Sequence, residues 1–372
     1  MEALFGNLTN LTIQQVIMWI IGSVLIYLAI AKDMEPTLLL PMGFGAILVN
    51  LPLSGAITQG NEIGIIDELF AMGIANEMFP LLLFIGIGAM IDFGPLLSNP
   101  KMLLFGAAAQ FGIFFTLSVS ALLGFELKDA ASIAIIGAAD GPTSIFVANY
   151  FSSNYIGAII VAAYSYMALV PIVQPPVIRL VTTKKERLIR MPYKPQAVTQ
   201  KAKIIFPIAV TIIAGLFSPK SVALIAFLMF GNLIRECGVL NNLSNSAQKE
   251  LANLITILLG ITVATKMQAH LFLTLETLLI LLLGLVAFIF DTVGGVLFAK
   301  VLNLFLKEKV NPMIGAAGIS AFPMSSRVIH KMGIKEDPQN FLLMHAVGAN
   351  VSGQIASVIA GGLIISLVSA ML

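Results

Sequence analysis

Two predominantly apolar stretches, 277–299 and 341–372, are each long enough to cross a membrane as a helix, which needs about 20 such residues. Between them lies the segment 311–328, with the sequence NPMIGAAGISAFPMSSRV. It contains an amide, several hydroxyl groups, an arginine, two prolines and two glycines. Polar and helix-breaking residues at membrane depth are tolerated only where they face protein or a water-filled cavity. The segment therefore predicts a broken, functional hairpin inside a membrane protein.

The composition supports this interpretation for the whole chain. Hydrophobic residues make up 58% and charged residues 11% of the 372 positions, whereas soluble domains are about a quarter charged. We predict an all-α polytopic membrane protein, with hairpins 131–149 and 311–329 as re-entrant or broken helices. The predicted spans lie near 15–31, 37–56, 79–97, 101–124, 155–178, 204–217, 220–235, 250–266, 270–290 and 341–370.

Positive charge is concentrated in one short loop. Residues 179–203 contain eight Lys or Arg and a single acid, Glu186. Because short loops rich in Lys and Arg face the cytoplasm, we place this loop there. The loop also divides the chain into two predicted membrane repeats, 1–178 and 204–372, each of which contains one of the hairpins.

The first hairpin begins like the second. In the segment IIGAADGPTSIFVAN, Ile136-Gly137-Ala138-Ala139 matches Ile314-Gly315-Ala316-Ala317 of the second hairpin. An odd number of spans between the two copies would invert the second copy relative to the first, so we predict two inverted repeats. Broken helices in corresponding halves indicate the substrate site of a transporter.

Asp140 is the acid of the first hairpin, and no lysine or arginine lies between Lys128 and Arg179 to neutralise it. A charged side chain at the centre of a bilayer costs about 3 kcal/mol or more, so it needs a cation. The Gly141-Pro142 pair interrupts the helix and frees backbone carbonyls, which with hydroxyls suit a hard cation such as sodium. We predict a bound monovalent cation or a proton at Asp140; a solvated aspartate in an external loop is the alternative.

Arg327 is the cation of the second hairpin. It follows Ser320 by seven residues, so the two side chains share one face if the segment is helical, although Pro323 leaves that geometry open. The planar guanidinium matches a carboxylate and suits an anionic substrate. The alternative is an arginine at a membrane edge beside His330 and Lys331.

Other polar side chains interrupt apolar spans. Asn350 does so with Ser352 and Gln354 in the last span, and Tyr164 and Tyr166 do so in an earlier one. They either line an ion site or hold neighbouring helices together by hydrogen bonds, the commoner role of such residues in membranes.

The sequence also excludes several classes of function. It contains no phosphate-binding loop, nucleophile elbow or convincing metal-ligand spacing, and its single cysteine, Cys237, excludes an internal disulfide and a cysteine metal site. Energy for transport must therefore come from an ion gradient or from a partner protein.

Three motifs together resemble one known family. Gly-Ala-Ala-Asp-Gly-Pro-Thr at 137–143, Tyr-Ser-Tyr-Met-Ala-Leu-Val-Pro-Ile-Val-Gln-Pro-Pro at 164–176 and the segment 311–328 resemble the membrane-embedded beta subunit of the biotin-dependent sodium-pumping decarboxylases. These enzymes serve oxaloacetate, methylmalonyl-CoA, glutaconyl-CoA or malonate, and the resemblance covers essentially the whole chain. It implies an elevator-like transporter with two inverted repeats, a multi-pass protein of the bacterial inner membrane.

The resemblance also implies a reaction and partners. Carboxybiotin on a partner's carrier domain is decarboxylated, a proton is consumed and sodium is exported; no cofactor is covalently bound to this chain. The implied partners are a biotin carrier domain, a carboxyltransferase alpha subunit, a small gamma or delta membrane subunit, further beta subunits in a homo-oligomer and membrane lipid, without nucleic acid. The basic loop then gains a role in docking an acidic carrier domain, or serves only to set topology. A sodium-coupled carboxylate symporter without chemistry is the alternative function.

Roles for the ion ligands follow from the resemblance position by position. Asp140 is the implied principal sodium ligand, Tyr166 supports that site, and Asn350 also lines it.

The second hairpin supplies the remaining implied roles. Asn311 and Ser320 belong to a second sodium site or to a proton path, and Gly315 allows a close backbone approach. Arg327 holds carboxybiotin, so Arg327 and Ser320 are the predicted catalytic residues.

Overall fold

The computed structural model of the protein describes residues 10–32, 34–192 and 197–372, in which helices are joined by turns and irregular segments and the one β-type pairing is an isolated bridge between Gln59 and Glu62. The first half contains α1 (Ile13–Lys32), α2 (Pro36–Val49), α3 (Ile65–Phe70), α4 (Met78–Met90), α5 (Gly94–Ser98), α6 (Leu103–Ala109), α7 (Phe111–Leu122), α8 (Leu127–Ala134), α9 (Gly141–Tyr150) and α10 (Ile156–Val181). The short helix α11 (Lys184–Arg187) lies in the basic loop. The second half contains α12 (Gln200–Phe217), α13 (Val222–Glu236), α14 (Asn241–Ser246), α15 (Ala252–Val263), α16 (Ala269–Phe272), α17 (Leu275–Phe305), α18 (Met313–Ala316), α19 (Met324–Glu336) and α20 (Leu343–Met371).

Six helical segments among the described residues are long and apolar enough to cross a membrane. They are Ile13–Lys32, Pro100–Leu122, Ile156–Val181, Asn241–Met267, Leu275–Phe305 and Leu343–Met371, and the pair Ile65–Ala75 and Met78–Met90, bent by 59°, is a seventh if it counts as one span. The all-α polytopic membrane architecture is therefore confirmed. The predicted span 220–235 forms α13, whose 15 residues are fewer than the about 20 needed to cross a membrane.

Helix α17 is longer than predicted. It runs for 31 residues and passes through Asp291 and Gly294-Gly295, whereas the prediction ended this span at 290. The glycines serve close packing instead of ending the helix. A Cβ on Gly295 would lie 2.1 Å from the carbonyl oxygen of Gly315, and one on Gly315 would lie 1.9 Å from that of Gly295. Small residues of this kind allow membrane helices to approach closely.

The two predicted hairpins are broken as expected. The first consists of α8, a 3₁₀ turn at Ile135–Ala138 and α9, and the second consists of α18, an irregular segment and α19. The largest apolar core surrounds both breaks. Its buried members include Ala134, Ile135 and Ala138 of the first hairpin, Ile314, Ala317 and Ile319 of the second, and Val351 and Val358 of α20. The polar groups at the breaks therefore lie in the interior of the protein.

Two glycines on α20 provide a matched test of this packing. A Cβ on Gly353 would lie 2.3 Å from the carbonyl oxygen of Gly318, whereas one on Gly348 would lie 3.3 Å from the flexible side chain of Met102. Gly353→Ala is expected to destabilise the protein by about 1–3 kcal/mol, the usual cost of overpacking. Gly348→Ala is expected to be neutral or stabilising by up to about 1 kcal/mol, because alanine is the better helix former. Thermal unfolding of both purified variants measures the difference; equal midpoints would contradict the crossing geometry.

Candidate functional site

The first break places Asp140 at the start of a helix. After the 3₁₀ turn, Ala139 adopts a left-handed conformation with φ 50°, and Asp140 is the N-cap of α9. Its carboxylate accepts a hydrogen bond from the hydroxyl of Thr143 at 2.7 Å and a longer one from the backbone N–H of the same residue. N-terminal N–H groups and the helix dipole stabilise a negative charge at this position. Asp140 is only 3% exposed, so the sequence prediction of an embedded carboxylate agrees with its burial.

One face of α20 contacts this carboxylate. Asn350, Gln354 and Ser357 follow one another at spacings of four and three residues, which puts them on the same side of the helix. The hydroxyl of Ser357 donates to Oδ2 of Asp140 at 3.0 Å. Since α20 has 29 residues and Ser357 is its midpoint, this contact lies halfway along a helix about 44 Å long. We call Asn350, Gln354 and Ser357 the polar face of α20.

The same polar face holds the second break. The side-chain amide of Asn350 donates to the carbonyl of Ile319 at 2.7 Å, and the amide of Gln354 donates to the carbonyl of Ser320. In return, the hydroxyl of Ser320 donates to the carbonyl of Gly353 at 2.9 Å. The freed backbone groups of the break are thus satisfied by α20, as buried backbone groups must be.

The two breaks also contact each other directly. The backbone N–H of Ser320 donates to the carbonyl of Ala138 at 3.1 Å. Both hairpins and the centre of α20 therefore form one polar centre. Of the ion-site residues implied by the family resemblance, Asp140, Ser320 and Asn350 lie at this centre.

Several buried oxygens at this centre have no hydrogen-bond partner among the described residues. They are Oδ1 of Asn350, Oε1 of Gln354 and the hydroxyl of Tyr164. The ring of Tyr164 lies against the residue after Asp140, because a Cβ on Gly141 would be 2.2 Å from it. Buried polar groups are normally paired. Carbonyl, hydroxyl and carboxylate oxygens in one place are suitable ligands for a hard cation.

Tyr166 and Asn311 lie elsewhere. Tyr166 donates to the carbonyl of Leu281 on α17, so its hydroxyl faces away from the polar centre. The side-chain amide of Asn311 donates to the carbonyls of Arg187 and Ile189 in the basic loop, at 2.9 Å each. The structure therefore does not bring either of them into contact with Asp140.

Arg327 and Ser320 have different surroundings. Ser320 is 1% exposed and precedes α19, whereas Arg327 lies in the first turn of α19 and is exposed. The segment is thus not one helix through Pro323, and the shared helical face considered from the sequence is not formed. Among the described residues, no carboxylate pairs with Arg327. Its guanidinium is available to an anion.

Gln354, Ser357 and Tyr164 were not predicted as site residues. Gln354 and Ser357 could have been found from their spacing to Asn350, which places all three on one helical face. Tyr164 was considered together with Tyr166, but only the packing shows which of the two faces Asp140.

The basic loop is attached to the second half of the protein. Arg187 pairs with Glu336 at the end of α19 at 2.9 Å, and Lys300 of α17 pairs with Glu186 at 3.1 Å. Arg190 pairs with Asp337 at 2.5 Å, and this hydrogen bond lowers the pKa of the Asp337 carboxyl. The described part of the loop therefore lies against the ends of two membrane helices.

Comparison with known proteins decides the family. The family described as Na+-transporting oxaloacetate decarboxylase beta subunit matches residues 14–368. The chain belongs to this beta-subunit family. The resemblance inferred from the three motifs is thereby confirmed.

Relatives within the family act on different acids. The methylmalonyl-CoA decarboxylase subunit beta of Veillonella parvula is 50% identical over 353 residues, which cover 95% of this chain and 93% of the relative. The glutaconyl-CoA decarboxylase subunit beta of Acidaminococcus fermentans is 50% identical over 352 residues, covering 95% and 92%. The oxaloacetate decarboxylase beta chain 2 of Salmonella typhi is 43% identical over 423 residues, covering 98% of each chain. The chain is thus similar both to subunits of acyl-CoA decarboxylases and to a subunit of oxaloacetate decarboxylase.

Proposed function

We propose that the chain is the membrane subunit of a decarboxylase sodium pump, which couples decarboxylation of carboxybiotin on a partner's carrier domain to sodium export across the bacterial inner membrane. One observation supports this proposal above others. A buried carboxylate, Asp140, without a cationic side chain among the described residues, lies at the junction of two broken hairpins beside unpartnered oxygens. Membership of the beta-subunit family supplies the reaction class.

Sodium is the proposed ligand of the polar centre. The carboxylate of Asp140 provides the negative charge. The proposed uncharged ligands are the side-chain oxygens of Ser357, Gln354, Asn350 and Tyr164. Hard cations prefer such oxygen ligands, and half-helix ends and unwound segments form the ion sites of many transporters. Tyr166 then supports the site indirectly, by holding α10 against α17.

Arg327 is the proposed binding residue for carboxybiotin. Along α19 it lies nine residues before Glu336, about 14 Å at the helical rise, and Glu336 pairs with the basic loop. In the reaction, the bond between the ureido nitrogen of biotin and the carboxyl carbon breaks, carbon dioxide leaves, and the nitrogen keeps the electron pair and takes a proton. The guanidinium binds and orients the carboxylate before this step.

An elevator-like movement with inverted repeats is part of the proposal. Because the two breaks and α20 are joined by hydrogen bonds, they are suited to move as one body. Coupling requires only that sodium binding and decarboxylation bias the same equilibrium between inward and outward states. We place Ser320 on the proton path at this junction and Asn311 in the connection between the second hairpin and the basic loop.

The basic loop is the proposed docking surface for an acidic carrier domain. Lys184 and Lys185 are exposed and have no carboxylate partner among the described residues. Opposite surface charges accelerate encounter between proteins. The carboxyltransferase alpha subunit, a small gamma or delta subunit and further beta subunits complete the proposed assembly.

A serine pair on α20 tests the ion site. Ser357→Ala removes the hydroxyl beside Asp140, whereas Ser366→Ala removes one that donates only to Gly362 of its own helix. Sodium affinity of Ser357→Ala is expected to fall about tenfold, since a hydrogen bond to a charged group contributes about 1.5–3 kcal/mol. Ser366→Ala is expected to bind sodium like the unaltered protein. Equilibrium binding of radioactive sodium measures both, and equal affinities would remove Ser357 from the site.

The orientation of the loop has its own test. A cysteine at the exposed position Lys185, in a chain whose Cys237 is replaced by serine, is expected to resist an impermeant thiol reagent in intact cells and to react after lysis. Labelling from outside intact cells would place the loop on the opposite side of the membrane.

The decisive experiment uses the chain with its small partner subunits in sealed vesicles. Carboxylated biotin carrier is presented on the basic-loop side, with and without sodium, and carbon dioxide release and sodium movement are followed together. Sodium-stimulated release with sodium transport is the expected result. Sodium-coupled uptake of a free carboxylate without carbon dioxide release would instead identify a symporter and overturn the proposal.

A further inference from the structure

A second buried carboxylate lies close to the first break. Asp291 of α17 is 0% exposed. Its Oδ1 accepts a hydrogen bond from the backbone N–H of Ile113 at 3.2 Å, while its Oδ2 has no hydrogen-bond partner among the described residues. No lysine, arginine or histidine of the described chain forms an ion pair with it.

Two glycines enclose this carboxyl group. A Cβ on Gly112 of α7 would lie 2.6 Å from Oδ1 of Asp291, and a Cβ on Gly137 would lie 2.6 Å from Oδ2. Gly137 belongs to the 3₁₀ turn Ile135–Ala138, and Asp140 follows that turn. The broken segment therefore contacts one buried carboxyl group at Gly137 and is followed along the chain by another, that of Asp140.

The surroundings of the two carboxyl groups differ. Hydroxyls of Thr143 and Ser357 donate to Asp140, and further unpartnered oxygens lie at the same polar centre. No side-chain hydroxyl or amide among the described residues donates to Asp291, whose two oxygens are closely approached by Gly112 and Gly137. A sodium ion, which needs several oxygens, suits Asp140 better than Asp291.

Protonation is the remaining way to neutralise Asp291. Burying an ionised carboxylate without a cation costs several times more than leaving one hydroxyl unpaired. Of the elements packed against α17, α6, α7 and α18 contain no ionisable residue. The titratable or charged groups on or beside the other packed elements and on α17 itself are Lys128, Asp129, Asp140, Tyr155, Tyr164, Tyr166, Arg179, Glu276 and Lys300, and none of the cations among them forms an ion pair with Asp291.

We propose that Asp291 is a proton-binding site, separate from the sodium site proposed at Asp140 and packed against Gly137 of the 3₁₀ turn that precedes Asp140. The proton resides on Oδ2, the oxygen that faces Gly137. This inference goes beyond the proposed function, because the proposed function gives Asp291 no role.

Infrared spectroscopy of the full chain in lipid tests the proposal without carboxybiotin or partner subunits, so its result is independent of pump activity. The stretching band of a protonated carboxyl group is separated from that of a carboxylate. At neutral pH we expect such a band in the unaltered protein, its loss in Asp291→Asn and its retention in Asp129→Asn. Asp129 is the matched control, since its buried carboxylate already accepts hydrogen bonds from Ser153 and Asn154.

Exchange and ion addition complete the test. The band is expected to shift in heavy water, which shows that the proton reaches solvent, and to remain when sodium is added. Ion addition is carried out in Asp140→Asn, so that loss of a proton from Asp140 itself is not mistaken for a change at Asp291. Absence of the band, a band that does not shift, or its disappearance with sodium in that variant would each overturn the proposal, the last by making Asp291 a sodium site. Aspartate labelled with carbon-13 at the carboxyl identifies the band as aspartate in the unaltered protein, and its loss in Asp291→Asn assigns it to that residue. Absence of any labelled band in the unaltered protein overturns the proposal without a variant.

Discussion

Asp140→Asn is expected to abolish sodium-dependent turnover and to leave a folded protein. The amide keeps the shape of the side chain and an oxygen that accepts from Thr143, but it lacks the charge that binds the cation. Removing one partner of a buried ion pair costs about 3–5 kcal/mol, so sodium affinity is expected to fall at least about 100-fold. Equilibrium binding of radioactive sodium and sodium-dependent carbon dioxide release measure the two effects.

Asp129→Asn is the matched control for that result. Asp129 is buried in the same hairpin, 2% exposed, but it accepts hydrogen bonds from Ser153 and Asn154 at the start of the loop before α10. This variant is expected to lose stability while keeping its sodium affinity. Full sodium-dependent turnover in Asp140→Asn would show that the ion site lies elsewhere.

Arg327→Ala is expected to raise the concentration of carboxylated carrier needed for half-maximal turnover by about tenfold or more. The reason is the loss of a charge-assisted interaction with the substrate carboxylate, which contributes about 1.5–3 kcal/mol. For Arg327→Lys, the concentration needed for half-maximal turnover is expected to lie between those of the unaltered protein and Arg327→Ala. The lysine ammonium keeps the charge but lacks the planar fork of the guanidinium. Initial rates of carbon dioxide release over a range of carrier concentrations measure the shift.

Lys249→Ala controls for the loss of any exposed cation. Lys249 is exposed just before α15, outside the basic loop, and pairs with no carboxylate among the described residues. Its replacement is expected to change the concentration dependence little in high salt, where surface charges are screened. A concentration dependence that is unchanged in Arg327→Ala would remove Arg327 from the substrate site.

Much of the fold could be predicted because the bilayer limits what polar residues can do. The breaks at 131–149 and 311–329 were predicted from glycine, proline and polar residues inside apolar sequence, and both are present. The predicted end of the span at 290 was wrong, because the helix continues to Phe305. Gly294 and Gly295 look like helix breakers in the sequence, but in α17 they are contact points for neighbouring segments.

The site was predictable only in part. Asp140, Ser320 and Asn350 stand out because each interrupts apolar sequence at a break or a span, and the structure brings them together. Tyr164 and Tyr166 are two residues apart, so they point to different sides of α10. Which of them faces the carboxylate depends on how that helix is turned against its neighbours, and this is information that the sequence of one segment does not contain.

The bond between the two breaks has a consequence for how this protein tolerates change. It joins the peptide N–H of Ser320 to the peptide carbonyl of Ala138, so neither side chain takes part. Nineteen of the twenty amino acids at position 320 carry that N–H, and only proline lacks it. Substitution of the surrounding side chains can therefore change the proposed ion site, while the backbone hydrogen bond between the two breaks is kept.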